Sequence, residues 1–347
     1  MTTEYQADVV DCPDCHTINT AKFPEEASQS VQYGNNLKSI IVYMKSQNLI
    51  PYKRLREFFE DIFSVSISEG TFVNVENKCS ELLKPFENKV KKALTDSEKI
   101  HCDESGVRIE NDTKWVHVAS NEQFTHYFAH EKRGREAMDF IGILPNFKGT
   151  AIHDFWRSYL DYDCSHGLCN AHHIRELTYF HEELNQKWAE KMIRFLCKLK
   201  DEVDEAKIRG QLITKGRMRN REREYDEIIR QGILENPLPE EIKVRKRGRK
   251  KKGKVINLLE RFLNHKEKVL AFMYHLHVPF DNNAAERDIR MVKVQQKVSG
   301  CFRSMNGANS FFRIRSFIST VKKNGQNTIE SIRKIFYNQD DFNWLAE

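Results

Sequence analysis

The chain has 347 residues, of which 39% are hydrophobic and 31% charged, and its formal net charge is +6. This length exceeds the usual size of one hydrophobic core, so two or three domains are expected. No apolar run approaches the ~20 residues of a membrane span, and residues 1–10 lack the regions of a signal peptide. The composition therefore predicts a cytoplasmic protein that has no membrane partner and whose eight cysteines stay reduced.

The chain begins with a Cys-x-x-Cys turn formed by Cys12 and Cys15. Such a turn is half of a zinc knuckle, whereas a closed zinc site needs four ligands. No second cysteine pair follows in this region. A bound zinc ion and a turn without metal both remain open.

Apolar residues recur at helical spacing through residues 31–96, for example Leu37, Ile40, Ile41 and Met44. Ser68 is expected to be the N-cap of one of these helices. Short helices joined by tight turns predict a helix-turn-helix-like domain that binds DNA. A helical bundle packed on the core of the protein would give the same pattern.

The apolar period becomes strand-like at Lys99. Residues 100–109 are expected to flank a glycine turn, and residues 115–119 and 125–129 alternate as further strands. The three runs together predict an antiparallel meander.

Residues 134–144 then predict a helix, residues 149–152 a strand that leads into Asp154, and residues 165–172 another strand before a helix from Ile174. The inferred order is strand, strand, strand, helix, strand, helix, strand. This is the order of the α/β ribonuclease-H-like fold, a mixed sheet flanked by helices.

Residues 176–276 predict a helical insertion. Apolar residues recur at helical spacing from Leu184 to Val203 and again over residues 258–273. Between them, residues 215–254 hold 15 Lys or Arg against 7 Asp or Glu, an excess of +8 that leaves the rest of the chain at about −2. Such a segment binds phosphates or is a solvated linker. Its candidate DNA-binding residues are Arg245, Lys246, Arg247, Arg249, Lys250, Lys251 and Lys252.

The strongest candidates for chemistry are three acids, Asp103, Asp154 and Glu286, each within a distinctive phrase. The first two end strand-like runs. Glu286 is expected in the second turn of a helix capped by Asp281 or Asn282, where small alanines before it would let the helix lie close to the sheet.

Together these phrases resemble the insertion sequence 66 transposase family, whose members are DDE transposases. The resemblance covers residues 12–317. The phrases are Asp103-Glu104-Ser105-Gly106, Asp154 with Trp156 and Tyr159, Cys169-Asn170-Ala171-His172 with Arg175, and Asp281-Asn282-Asn283-Ala284-Ala285-Glu286-Arg287.

The resemblance implies a DDE transposase in which Asp103, Asp154 and Glu286 bind two Mg²⁺ or Mn²⁺ ions. Two such ions support in-line displacement, in which water gives strand cleavage and a DNA 3′-hydroxyl gives strand transfer. Arg287 and Arg290 would clamp phosphates. Glu104 is left out because strand alternation points it to the opposite face.

The expected partners are double-stranded DNA, as terminal inverted repeats and target, further copies of this chain on that DNA, and accessory proteins of the same element. In the resembled family a zinc-ribbon-like module precedes the core, so residues 1–30 are interpreted as its remnant in an N-terminally shortened chain. Residues 31–96 are then the helix-turn-helix-like domain. The remaining assignments are 97–175 for the first part of the catalytic core, 176–276 for the insertion, and 277–347 for the second part and tail.

A second cluster of potential zinc ligands comprises Cys164, His166, Cys169 and His172. Zinc binding by these residues and ordinary packing both remain open. Two other functions also remain open: a DNA-binding relic without catalysis, and a stand-alone ribonuclease-H-like nuclease. Intact acids favour the transposase over the relic.

Overall fold

The computed structural model describes residues 3–23, 32–237, 253–339 and 342–345. A hairpin near the start of the chain is formed by β1 (Val9–Asp11) and β2 (Ile18–Thr20). The centre of the protein is a five-stranded mixed sheet made of β3 (Lys99–Ile109), β4 (Asp112–Ser120), β5 (Thr125–His130), β6 (Thr150–His153) and β7 (Ser165–Leu168). The strand order is β5-β4-β3-β6-β7. β3, β4 and β5 form the predicted antiparallel meander, while β3, β6 and β7 run parallel.

The expected glycine turn within the first long strand is wrong. β3 runs unbroken through Gly106, which pairs with Trp115 of β4. The chain turns instead at Glu110 and Asn111, whose φ angles are 55° and 65°. Two successive positive φ angles match the right-handed twist of a tight hairpin.

The expected helix between the two parallel strands is also wrong. α5 (Arg135–Ile141) precedes β6 as predicted, but only a short 3₁₀ turn, Arg157–Asp161, separates β6 from β7. The last strand ends at Leu168, and the following helix begins at Asn170, four residues earlier than expected.

Four helices occupy the predicted N-terminal helical region: α1 (Asn35–Val42), extended by a π-helical turn, α2 (Tyr52–Phe63), α3 (Glu69–Leu82) and α4 (Lys84–Thr95). The predicted cap is confirmed, because Ser68 Oγ accepts the N–H of Thr71 at the start of α3. Apolar side chains of these helices share one core with the sheet and with the C-terminal helices. An ion pair adds to this packing, because Arg313 of a C-terminal helix pairs with Glu87 of α4 at 2.7 Å. This packing is that of a bundle on the core, and DNA contact by these helices stays a prediction.

The region of the predicted insertion is helical, and its hydrophobic core also includes Ile152 of β6 and Leu168 of β7. Trp188 and Met192 are buried, as the periodicity predicted. Leu184, however, ends the preceding helix and is 43% exposed, and the apolar run over residues 258–273 divides into three helices instead of one. The helices of this region are α6 (Asn170–Leu184), α7 (Lys187–Ile208), α8 (Lys215–Glu235), α9 (Lys254–Asn264), α10 (Lys266–Val269) and α11 (Ala271–Tyr274).

Three helices close the fold: α12 (Asn283–Ser299), α13 (Met305–Lys323) and α14 (Thr328–Phe336). α12 packs on the face of β3 that presents the odd-numbered side chains, where Val107 and Ile109 contact the same apolar cluster as Ala285. Ala285 is fully buried, so the expected close approach of this helix to the sheet is confirmed. Because α12 begins at Asn283, Glu286 lies in its first turn, not its second.

No helix within the described ranges is long and apolar enough to cross a membrane.

Candidate active site

Asp103 on β3 and Asp154, just after β6, lie at the same level of two neighbouring parallel strands. The last residues that β3 and β6 pair with each other are His101 and Ile152, and each acid is two residues further along the chain. Asp154 follows β6 directly, and one of its carboxylate oxygens accepts the N–H of Trp156 at 2.9 Å. Local strand geometry therefore brings together two acids that are 51 residues apart in the sequence.

Asn282 fixes the start of α12 beside Asp103. Its amide nitrogen donates to the carbonyl of Cys102 at 2.8 Å, and its amide oxygen lies 2.9 Å from Nδ1 of His101. The side chain is 2% exposed. Asn282 is the N-cap residue of α12, one of the two predicted alternatives, but its side chain makes no capping hydrogen bond. Asp281 instead accepts the N–H of Asn283 at 3.0 Å.

Glu286, four residues after Asn282, therefore lies close to β3. Its side chain faces the N-terminus of α6. Arg175 pairs with Oε2 at 3.2 Å, His172 Nδ1 lies 3.5 Å from Oε1, and Cys169 Sγ lies 4.0 Å from Oε1. Cys169 and Asn282 are also joined directly, because the Asn282 N–H donates to Sγ at 3.2 Å. The third acid is thus held by two elements, α6 and α12.

The electrostatics of Asp103 reflect this convergence. Burial, followed by the charges of Glu104, Asp154 and Glu286, raises the pKa of Asp103 to about 7. A hydrogen bond from the backbone N–H of Glu104 opposes the rise. Within the described parts of the chain, neither Asp103 nor Asp154 has a cationic side chain as an ion-pair partner. A bound cation would supply the missing positive charge.

Glu104 occupies the opposite face of the sheet, as alternation predicted. Its carboxylate is 1% exposed, accepts the hydroxyl of Tyr159 at 2.5 Å and pairs with Arg133 at 2.8 Å. The guanidinium of Arg133 stacks over Trp156, 3.7 Å from the ring centre. Sequence reasoning missed this network, although Trp156 and Tyr159 were already part of the phrase around Asp154. The network anchors the loop that follows Asp154.

The predicted zinc ligands separate into different places. Cys12 and Cys15 lie in the hairpin of β1 and β2, with the Cys15 thiol 3.1 Å from the hydroxyl of Thr17. They belong to no group of three potential metal ligands within the described residues. All eight cysteines are free.

The second proposed zinc cluster is divided as well. His166 Nδ1 lies 3.1 Å from Nε2 of His153, inside the protein, so His166 does not join the others. Cys169 and His172 instead meet Glu286, and these three ligand atoms lie within 4.8 Å of one another. The geometry thus connects two of the zinc candidates with the third acid.

The candidate phosphate contacts are only partly described. Arg287 and Arg290 are exposed on α12 next to the acids, and among the described residues neither has an ion-pair partner. The basic residues predicted to bind DNA lie outside the described residues. These are Arg245, Lys246, Arg247, Arg249, Lys250, Lys251 and Lys252.

The fold and site together define an α/β protein whose central parallel strands and one helix bring three acids to one end of the sheet. A model of the transposase IS66 family matches residues 30–310. The chain belongs to this family, and membership implies a transposase that acts on DNA. No curated protein matches the sequence.

Proposed function

We propose that the protein catalyses metal-dependent DNA strand cleavage and strand transfer at the ends of an insertion sequence. The observation that carries this proposal is the arrangement of Asp103, Asp154 and Glu286. Two parallel strands present the first two acids at one level, and Asn282 holds the start of α12 against β3 beside them. We interpret the core as ribonuclease-H-like on the same grounds.

The donor set suits magnesium or manganese. Both are hard cations that prefer carboxylate oxygens and retain several waters. Asp103 is buried near three other acids and has no cationic partner among the described residues, so it favours a bound cation. When bound, two such ions polarise the attacking and leaving oxygens of an in-line displacement.

The chain's own residues supply position and charge. Asp103 and Asp154 would hold the ions from the sheet, and Glu286 would hold them from α12 after leaving Arg175. Arg287 and Arg290 lie on the exposed side of the same helix and would contact the DNA backbone. Released from Glu286, Arg175 would be free to pair with a phosphate.

We further propose that the DNA partners are the terminal inverted repeats and a target duplex, and that several copies of the chain assemble on them. Accessory proteins of the element are also proposed partners. Two alternatives make different predictions. A relic binds DNA without cutting it, and a stand-alone nuclease cuts without joining ends.

The test is cleavage and joining of DNA that carries the repeats flanking the coding region. We expect activity with magnesium or manganese. Asp103→Asn, Asp154→Asn and Glu286→Gln should each abolish it and leave DNA binding intact. The matched controls are Asp201→Asn and Glu183→Gln, exposed acids of the helical region.

The controls should retain activity. Undiminished cleavage by any of the three site variants would remove that residue from the site. DNA binding without cleavage by the unmodified chain would support the relic, and cleavage without joining would support the nuclease.

A further inference from the structure

A group of softer metal ligands adjoins the three acids. Cys169 Sγ, His172 Nδ1 and a carboxylate oxygen of Glu286 lie within 4.8 Å of one another, and within the described ranges this is the one such group of three. Thiolate and imidazole ligands favour zinc over magnesium. The group therefore differs in ligand chemistry from a site made of carboxylates alone.

The distances are close to those of a zinc site. Zinc–ligand bonds of about 2.0–2.3 Å in a tetrahedron separate neighbouring ligand atoms by roughly 3.4–3.6 Å. His172 Nδ1 and Glu286 Oε1 are already 3.5 Å apart, and Cys169 Sγ lies 4.0 Å from the same oxygen.

Two features prepare these atoms to bind a cation. His172 Nδ1 is shielded from solvent and has no hydrogen-bond partner among the described residues, which is unusual for a buried polar atom. Cys169 is the N-cap of α6; burial raises the pKa of its thiol, and the backbone N–H groups of His172 and Asn282 oppose that rise. Its sulfur is also oriented by the N–H of Asn282 at 3.2 Å.

We propose that Cys169, His172 and Glu286 bind one zinc ion, with water as the fourth ligand, and that this ion inhibits magnesium-dependent DNA cleavage. Glu286 Oε1 faces the cysteine and histidine, while Arg175 donates to Oε2 at 3.2 Å and also to Oε1 at 3.4 Å. A Glu286 carboxylate that binds zinc cannot at the same time bind magnesium together with Asp103 and Asp154. The inhibitory role rests on the proposed function, since it requires Glu286 in the magnesium site, but zinc binding itself does not.

Cobalt(II) is the probe for binding, because a cobalt–thiolate bond absorbs in the near ultraviolet. All variants are made in the Cys12→Ser/Cys15→Ser background, which removes the other cysteine pair. We expect one cobalt ion per chain, a thiolate absorption band, and displacement by zinc. Cys169→Ser keeps a hydrogen-bond acceptor for Asn282 and should abolish the band.

His172→Ala should keep the thiolate band but weaken cobalt affinity by at least the roughly 10–100-fold that loss of an outer ligand partner costs. Cys197→Ser changes an exposed cysteine of α7 and should alter neither band nor affinity. An equal band in the Cys169→Ser variant, or unchanged affinity in the His172→Ala variant, would overturn the site.

Inhibition is tested separately. Zinc should inhibit magnesium-dependent DNA cleavage by the background protein and should inhibit the Cys169→Ser variant much less. Equal inhibition of both would refute the sharing of Glu286. Cobalt binding through Cys169 in a protein that cleaves no DNA would contradict the proposed function while leaving the zinc site established.

Discussion

Replacing Asp103 with asparagine should stabilise the metal-free protein at neutral and alkaline pH. Burial, with the neighbouring acids Glu104, Asp154 and Glu286, raises the pKa of Asp103 from 3.8 to about 7. Because the folded state then binds more protons than the unfolded state, stability falls as pH rises between these two values. At about 1.4 kcal/mol per pKa unit, the ionised carboxylate costs the fold at most ~4 kcal/mol above pH 7.

Asp103→Asn removes this cost and retains an oxygen that accepts the N–H of Glu104. Urea denaturation with a chelator at about pH 8 and about pH 4 measures the effect. We expect the variant to exceed the parent at the higher pH by up to ~4 kcal/mol, with the difference nearly vanishing at the lower pH.

Magnesium should then raise the free energy of unfolding of the parent more than that of the variant, because a ligand that binds the folded state stabilises it. Asp201→Asn is the control and should show no such pH dependence relative to the parent. A variant that is less stable than the parent at about pH 8, or a difference independent of pH, would refute the reasoning.

Three further changes test other parts of the structure. Asn282→Ala leaves its buried hydrogen-bond partners on β3 unsatisfied and should lower the free energy of unfolding by about 1–3 kcal/mol for each partner. The control Asn283→Ala, at an exposed neighbour, should have a smaller effect. Equal losses of stability in both variants would contradict the role of Asn282. Glu104→Gln removes the counter-charge of Arg133 and should cost about 2–3 kcal/mol in denaturation while the folded variant still cleaves DNA; loss of cleavage at full stability would move Glu104 into the site. Replacing five residues of the basic segment with alanine should weaken binding to all DNA sequences alike. The slope of log affinity against log salt should become shallower by about 0.9 for each DNA phosphate that the variant no longer neutralises. An unchanged slope would make the segment a linker. These five are Arg245, Lys246, Arg247, Arg249 and Lys250.

Local patterns located the strands of the sheet. Alternation of apolar residues located the strands because each strand buries at least one face. Alternation also separated Asp103 from Glu104, which lie on opposite faces. The turn predicted at Gly106 was wrong: glycine is common in turns, but here pairing with β4 keeps this residue within a strand. The length of β3 depends on that partner and not on the residue alone.

Contacts between distant parts of the chain could not be predicted in the same way. Asn282 occupies the N-cap position, as its residue type indicates, but only its contact with His101, 181 residues away, shows that its side chain binds β3. The meeting of Cys169 and His172 with Glu286 likewise depends on how α6 and α12 approach each other. The phrases identified these residues, but the fold alone shows which of them touch.

Manganese anomalous diffraction from crystals of the protein bound to a DNA end tests the proposed metal site most directly. We predict two manganese peaks about 4 Å apart, coordinated by Asp103, Asp154 and Glu286. Manganese bound elsewhere, or bound without oxygen ligands from Asp103 and Asp154, would contradict a two-metal strand-transfer site at this end of the sheet.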